Sequence, residues 1–206
     1  MPLRELAIDV PAVKPPAEVA RFLREAERRI DRFQSEARVP AFVPCDYEAA
    51  YAVLCALAAG PHLRGQRMCE WGSGFGAVVG LAALAGYDAC GIEIEWSLVE
   101  EARQLADDFE LPVELVCGSF VPRGAEGLVH ANGTYSWFTT ESDYAYDDLG
   151  LEVSDFDVVF AYPWPDEEGA VSDLFEKYAG TGAVLATYHG SGEFRLKRKV
   201  AKRKKR

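Results

Sequence analysis

Residues 17 to 34 place Val19, Phe22, Leu23, Ala26, Ile30 and Phe33 at three- and four-residue spacing, with Arg and Glu filling the positions between. That period predicts an amphipathic helix docked on a core. The stretch "PAFVP" breaks it. Asp46 then stands as the cap of a second helix with Tyr47, Tyr51, Leu54 and Leu57 as its apolar positions. From Gln66 onward short apolar runs alternate with helical ones. "QRMCEW" reads as a buried strand, "AVVGLAALAG" as a helix apolar on every side and stopped at Gly86, and "DACGIEI" as a second strand. Ser97 and Glu100 have capping-box spacing for the next helix, which turns Leu98, Val99, Ala102, Leu105 and Phe109 inward. "VELVCG", "FDVVFAY" and "GAVLATY" read as the third, fourth and fifth strands. A helix through Val171, Leu174, Phe175 and Tyr178 separates the last two. After "GSG" the segment "EFRLKRKV" alternates like a final antiparallel strand. Residues 121 to 154 carry no clear period, are rich in aromatics and acids, and have room for one short helix.

Strand–helix alternation of this kind predicts an α/β fold: a doubly wound, mostly parallel sheet of about six strands with helices on both faces and an antiparallel last strand. The chain divides into a lead-in with its amphipathic helix (1–39), one domain (40–200) and a basic tail (201–206). In such sheets ligands bind at the carboxyl ends of the strands, near the point where strand order reverses.

Composition adds limits. With 49% apolar and 27% charged residues over 206 positions, the chain is ordinary globular material, and no apolar run is long enough to span a bilayer. The N-terminus "MPLRELAIDVPAVKPP" lacks the basic-then-apolar layout of a signal segment, which predicts a cytoplasmic protein. Cys45, Cys55, Cys69, Cys90 and Cys117 sit singly in apolar stretches and read as small buried hydrophobes. Charge is lopsided. Residues 195–206 hold nine basic residues and no acid, so the formal −11 of the whole chain leaves 13 basic against 33 acidic residues, or −20, on the body. Such a body repels nucleic acid and attracts cations, and the basic end reads first as a solvated tail.

One stretch carries the candidate chemistry. "EWGSGFG" sets Gly72, Gly74 and Gly76 at alternate positions behind Glu70 and directly before a helix. Glycine is favoured where the backbone turns left-handed or where something lies against it. Gly72, Gly74 and Ala77, with Glu93 further on, also satisfy the dinucleotide pattern G-x-G-x-x-G/A.

Taken together, "EWGSGFG", "GIEIE", "CGSF" and "FDVVFAYPWP" resemble the successive motifs of class I S-adenosylmethionine-dependent methyltransferases. The lead-in through "FVP" is similar to their protein-lysine branch. The resemblance implies S-adenosylmethionine as cofactor. Gly72, Ser73, Gly74, Gly76 and Glu70 would lie at its amino-acid end, and Glu93 at the ribose hydroxyls. Gly118 and Ser119 would lie beside the adenine, with Ser119 where the family usually has an acid. It places Tyr162 and Trp164 at the methyl acceptor, with Tyr162 where amino-group enzymes carry Asn or Asp. An aromatic wall there suits a flat or cationic acceptor, and a −20 body favours a basic protein over nucleic acid. Val43, Pro44 and Tyr47 are candidates for a roof over the cofactor. Tyr135, Trp137, Phe138, Tyr144 and Tyr146, mixed with Glu141, Asp143, Asp147 and Asp148, are candidates for a substrate lid. A buried, unpaired Glu93 would be expensive, which argues for a ligand partner. His189 ends the fifth strand as a candidate base or a packing residue. The sequence holds no metal cluster and no catalytic triad. Two other readings stay open: a nicotinamide-dependent oxidoreductase, and a non-catalytic interaction module that keeps the fold.

Overall fold

The computed structural model describes residues 2–12, 14–36, 39, 42–130 and 145–201. In chain order the elements are β1 (Leu3–Glu5), α1 (Ala17–Glu36), α2 (Tyr47–Ala59), β2 (Arg67–Trp71), α3 (Ala77–Leu84), β3 (Asp88–Glu93) and α4 (Trp96–Asp108). There follow β4 (Glu114–Cys117), α5 (Glu126–His130), α6 (Ala145–Leu149), β5 (Val158–Ala161), α7 (Glu168–Tyr178), β6 (Val184–Tyr188) and β7 (Phe194–Lys199). They build one seven-stranded sheet of order β1-β7-β6-β5-β2-β3-β4. Strands β2 to β6 run parallel, while β7 is antiparallel to β6 and β1 antiparallel to β7. Strand order reverses between β2 and β5, the point where both neighbours send their carboxyl ends into one crevice.

Each face of the sheet carries its own core. On one side Trp71, Val159, Leu174 and Phe175 pack together; on the other Leu54, Met68, Val79 and Phe160 do. Helix α1 lies over α3 through Val19, Phe22 and Leu23 against Ala77 and Leu81. The approach is close because residue 80 has no side chain: a Cβ there would stand 2.3 Å from Phe22 Cζ.

Four expectations need correcting. The sheet has seven strands rather than about six, because "LRE" in the lead-in adds an edge strand on β7. Asp46 does cap α2, accepting from the Ala49 amide at 2.9 Å, but Ser97 and Glu100 form no capping box. Helix α4 begins two residues earlier than that box requires, at Trp96, with Glu95 as its cap. The Glu93 carboxylate holds the Ile94 and Glu95 amides just ahead of it, so Ser97 falls inside the first turn. The irregular stretch contains two short helices among its described residues, α5 and α6. Finally, the basic end is not all solvated. Strand β7 takes Arg195, Lys197, Arg198 and Lys199. Lys199 is 3% exposed, and its ammonium donates to the carbonyls of Lys177 and Ala179 at the C-terminal end of α7. A cation there satisfies carbonyls the helix leaves open and suits its dipole. Residues 202–206 lie outside the described residues.

Candidate functional site

The turn from β2 into α3 needs left-handed backbone three times over: φ is +74° at Gly72, +51° at Gly74 and +66° at Gly76. Side chains rarely tolerate that region, so the alternate glycines are first a backbone requirement. The loop is tied down on the β3 side. The Gly72 and Ser73 amides both donate to Ile92 O, at 2.9 and 3.0 Å. The Gly74 amide donates to Glu93 Oε2 at 2.8 Å.

The three glycines differ in what their bare faces meet. A Cβ on Gly76 would stand 3.0 Å from Ala102 Cβ, inside the core, and one on Gly74 would stand 2.7 Å from Phe42 Cε2. Around a Cβ on Gly72 there is nothing within 4 Å. Gly72 and Gly74 both line a cavity of about 530 Å³.

Glu70 and Glu93 frame the loop. Gly76 caps α3 without a side chain, and the buried Glu70 supplies one from the strand, its Oε2 accepting from the Val79 amide at 3.1 Å. Burial pushes the Glu70 carboxyl well above the usual carboxylate range, and the nearby Glu93 charge pushes the same way. The folded state therefore holds that proton more tightly than the unfolded chain does. The resulting stability, present at acid pH, is lost as pH rises above the ordinary value of 4.5. Glu70→Gln keeps an acceptor for Val79 but removes the titration. Urea midpoints across a pH series are expected to fall less steeply toward neutral pH in the variant. Parallel curves would contradict this account of Glu70.

Glu93 is also buried, yet it is not the unpaired carboxylate expected. Its Oε1 accepts from the Ile94 and Glu95 amides at 2.7 and 2.9 Å, and its Oε2 accepts from Gly74. Burial raises its pKa while these amides pull it down. A carboxylate has about four acceptor positions, so roughly one is left for a ligand hydroxyl.

The cavity gathers nearly all the residues singled out in the sequence. Glu70, Gly72, Ser73, Gly74, Glu93, Gly118 and Ser119 line it from the ends of β2, β3 and β4. Tyr162, Trp164 and His189 line it from the ends of β5 and β6, and Val43 and Tyr47 from the segment ahead of α2. Gly76 and Pro44 are not on its wall. Ser119 turns inward, its Oγ accepting from the Val121 amide at 3.1 Å. Tyr162 stands edge-on to Tyr188, centroids 4.7 Å apart. Trp164 is 41% exposed at the mouth.

The supposed lid divides. Tyr146 belongs to the core behind Trp71, its hydroxyl donating to Phe120 O at 2.9 Å. It packs inward because α6 presents its apolar side to the sheet. Asp147 pairs with Arg123, and Asp148 is exposed. Tyr135, Trp137, Phe138, Glu141, Asp143 and Tyr144 lie outside the described residues.

Among the wall residues that sequence reasoning missed are Phe42, Glu95, Glu167 and Glu168. The acids after "PWP" read equally well as ordinary first-turn helix acids. In the fold Glu167 is buried and accepts from the Trp164 amide at 3.3 Å, bracing the "YPWP" turn. The described lining holds five carboxylates (Glu70, Glu93, Glu95, Glu167, Glu168) and neither Lys nor Arg. Among the described residues, no three His, Cys, Asp or Glu side chains are placed to hold a metal ion.

No protein-family model matches the sequence, and no curated protein does. Solved structures do. A methyltransferase from Geobacter sulfurreducens is 16% identical and superimposes with a TM-score of 0.51, covering 91% of this chain and 92% of its own. An RNA methyltransferase from Salinibacter ruber, in complex with S-adenosyl-L-homocysteine, is 17% identical over 94% of this chain and 97% of its own, with a TM-score of 0.47. An O-methyltransferase from Bacillus cereus is 14% identical over 85% of this chain and 67% of its own, with a TM-score of 0.49. At these identities the likeness is one of fold, and the chain has the class I methyltransferase fold.

Proposed function

We propose that the chain is an S-adenosylmethionine-dependent methyltransferase whose acceptor is an amino group, with a lysine of a basic protein as the preferred form. One observation carries the reading. The open face of Gly72 and the carboxylates of Glu70 and Glu93 share a single cavity with the aromatic pair Tyr162 and Trp164.

The residues present fit that cofactor. The space over Gly72 accepts a ligand lying against the backbone, and a lining of carboxylates without Lys or Arg suits a ligand bearing a sulfonium and an ammonium. Glu93 would hold the ribose hydroxyls, the loop from Gly72 to Gly74 and Glu70 the amino-acid end, and Gly118 and Ser119 the adenine side. When bound, the cofactor supplies an electrophilic methyl group on sulfur. The remaining work falls to the chain and is largely positional: the acceptor ammonium gives up one proton to solvent, and the neutral amine then displaces the methyl group from sulfur directly, with no covalent intermediate. Tyr162, braced by Tyr188, and Trp164, braced through Glu167, would flank an alkylammonium stem. The acidic body draws a cationic acceptor through solvent.

Thermal unfolding tests the cofactor directly. S-adenosylhomocysteine is expected to raise the melting temperature, since a ligand held only by the native state adds about 2.7 kcal/mol at a hundredfold excess over Kd. NAD is expected to leave it unchanged. A shift with NAD and none with S-adenosylhomocysteine would replace this reading with the oxidoreductase one.

A further inference from the structure

A chain of hydrogen bonds runs along the β5–β6 side of the cavity. Thr187 Oγ1 lies 2.8 Å from His189 Nε2, and His189 Nδ1 lies 2.9 Å from Glu168 Oε1. Glu168 Oε2 lies 3.1 Å from an Arg195 nitrogen, and Arg195 also donates to Glu193 Oε1 at 2.8 Å. The His189 side chain is 8% exposed, whereas Glu168 is 37% exposed and lines the cavity.

The protons can be counted. An ionised carboxylate accepts only, so Nδ1 carries the hydrogen that Glu168 receives. Nε2 faces the Thr187 hydroxyl, which also reaches Arg195 O at 3.3 Å. Both ring nitrogens are engaged within the protein, and the imidazole orients Glu168. One guanidinium serves two carboxylates, Glu168 and Glu193, which leaves that group a formal charge of −1. A plain first-turn acid on α7 would gain from the helix dipole alone and would need neither a buried imidazole behind it nor an arginine beside it.

We infer that Glu168, held by His189 and Arg195, is a subsite for the cationic nitrogen of the acceptor, a primary ammonium in the class of an alkylamine or a lysine side chain. The inference rests on the methyltransferase reading for the word acceptor, though not for the subsite itself. Glu168 lines the same cavity as Trp164 and Tyr162, so one carboxylate and two aromatic rings are offered to a single ligand. Each oxygen of Glu168 has a lone pair beyond the one already used, although the Arg195 guanidinium shares Oε2 with the incoming cation.

The test is an NMR titration of the protein, free and saturated with S-adenosylhomocysteine, with n-butylammonium, n-butanol and butyrate as probes. The wild type is expected to bind the ammonium at least about tenfold more tightly than the alcohol, and the anion not at all. Glu168→Gln is expected to erase that preference, in the free and the S-adenosylhomocysteine-saturated protein alike, while its amide spectrum remains that of the folded chain. Arg195→Met, which removes the competing cation, is expected to tighten ammonium binding about threefold or more. A merely structural Glu168 predicts no such opposite pair of effects. Equal binding of ammonium and alcohol by the wild type, or an intact preference in Glu168→Gln, overturns the subsite. The free-protein arm separates the two readings. An ammonium preference lost in Glu168→Gln, in a protein that ignores S-adenosylhomocysteine, upholds the subsite and removes the methyltransferase.

Discussion

Glu93→Ala is expected to weaken S-adenosylhomocysteine binding by about 2–4 kcal/mol, roughly 30- to 1000-fold, measured by calorimetry. Two losses combine. The proposed ribose contact goes, and so does the acceptor that pins the Gly74 amide and starts α4 through the Ile94 and Glu95 amides. Because three donors lose their partner, stability should fall as well, by about 1–3 kcal/mol. Glu93→Gln keeps one acceptor oxygen but turns a donor toward an amide, and should lie between. Unchanged affinity in Glu93→Ala would mean that the carboxylate serves the loop alone.

The glycines should separate function from folding. Gly76→Val is expected to destabilise the fold by about 3–5 kcal/mol. The left-handed φ of +66° strains a β-branched residue, and its Cβ would meet Ala102 at 3.0 Å and Leu115 at 3.3 Å, where α4 and β4 have no room to retreat. Gly72→Ala should behave in the opposite way. Its φ costs about 1–2 kcal/mol, but its methyl meets nothing within 4 Å, so the main loss expected is ligand binding. Urea unfolding and calorimetry on the two variants read the contrast. A Gly72→Ala protein that binds S-adenosylhomocysteine normally would contradict the placement of the ligand over that residue.

Outside residues 121–154, the order of strands and helices from Gln66 to Lys199 could be read in the sequence because each apolar run has one period and a clean stop. Gly86 and the "GSG" turn are such stops, and the acid-glycine loop announces itself through three residues that only backbone geometry explains. What escaped depends on partners distant in sequence. Three residues, "LRE", have no pattern of their own and become a strand only because β7 offers an edge. Lys199 looks like one more charge in a basic run, until pairing with both β6 and β1 puts it in the interior. Glu93 seemed to need a ligand because its amide partners come from a loop nineteen residues away and from the turn after it, neither of which a strand pattern reveals. His189 read as a lone histidine, since Glu168 reaches it only after α7 and β6 have folded onto the sheet. In Gly74 the requirement for glycine was legible but its neighbour was not: the Phe42 ring stands over it.

Methyl transfer itself is the most direct measurement. Wild-type protein and Glu93→Ala, each incubated with S-adenosylmethionine tritiated on the methyl group and a cell lysate, would be compared for label in the protein, nucleic acid and small-molecule fractions. The account predicts label in the protein fraction that depends on the wild-type carboxylate and declines as salt screens the acidic body. Label in RNA would contradict the acceptor assigned here, and no transfer above the Glu93→Ala background would contradict the enzyme.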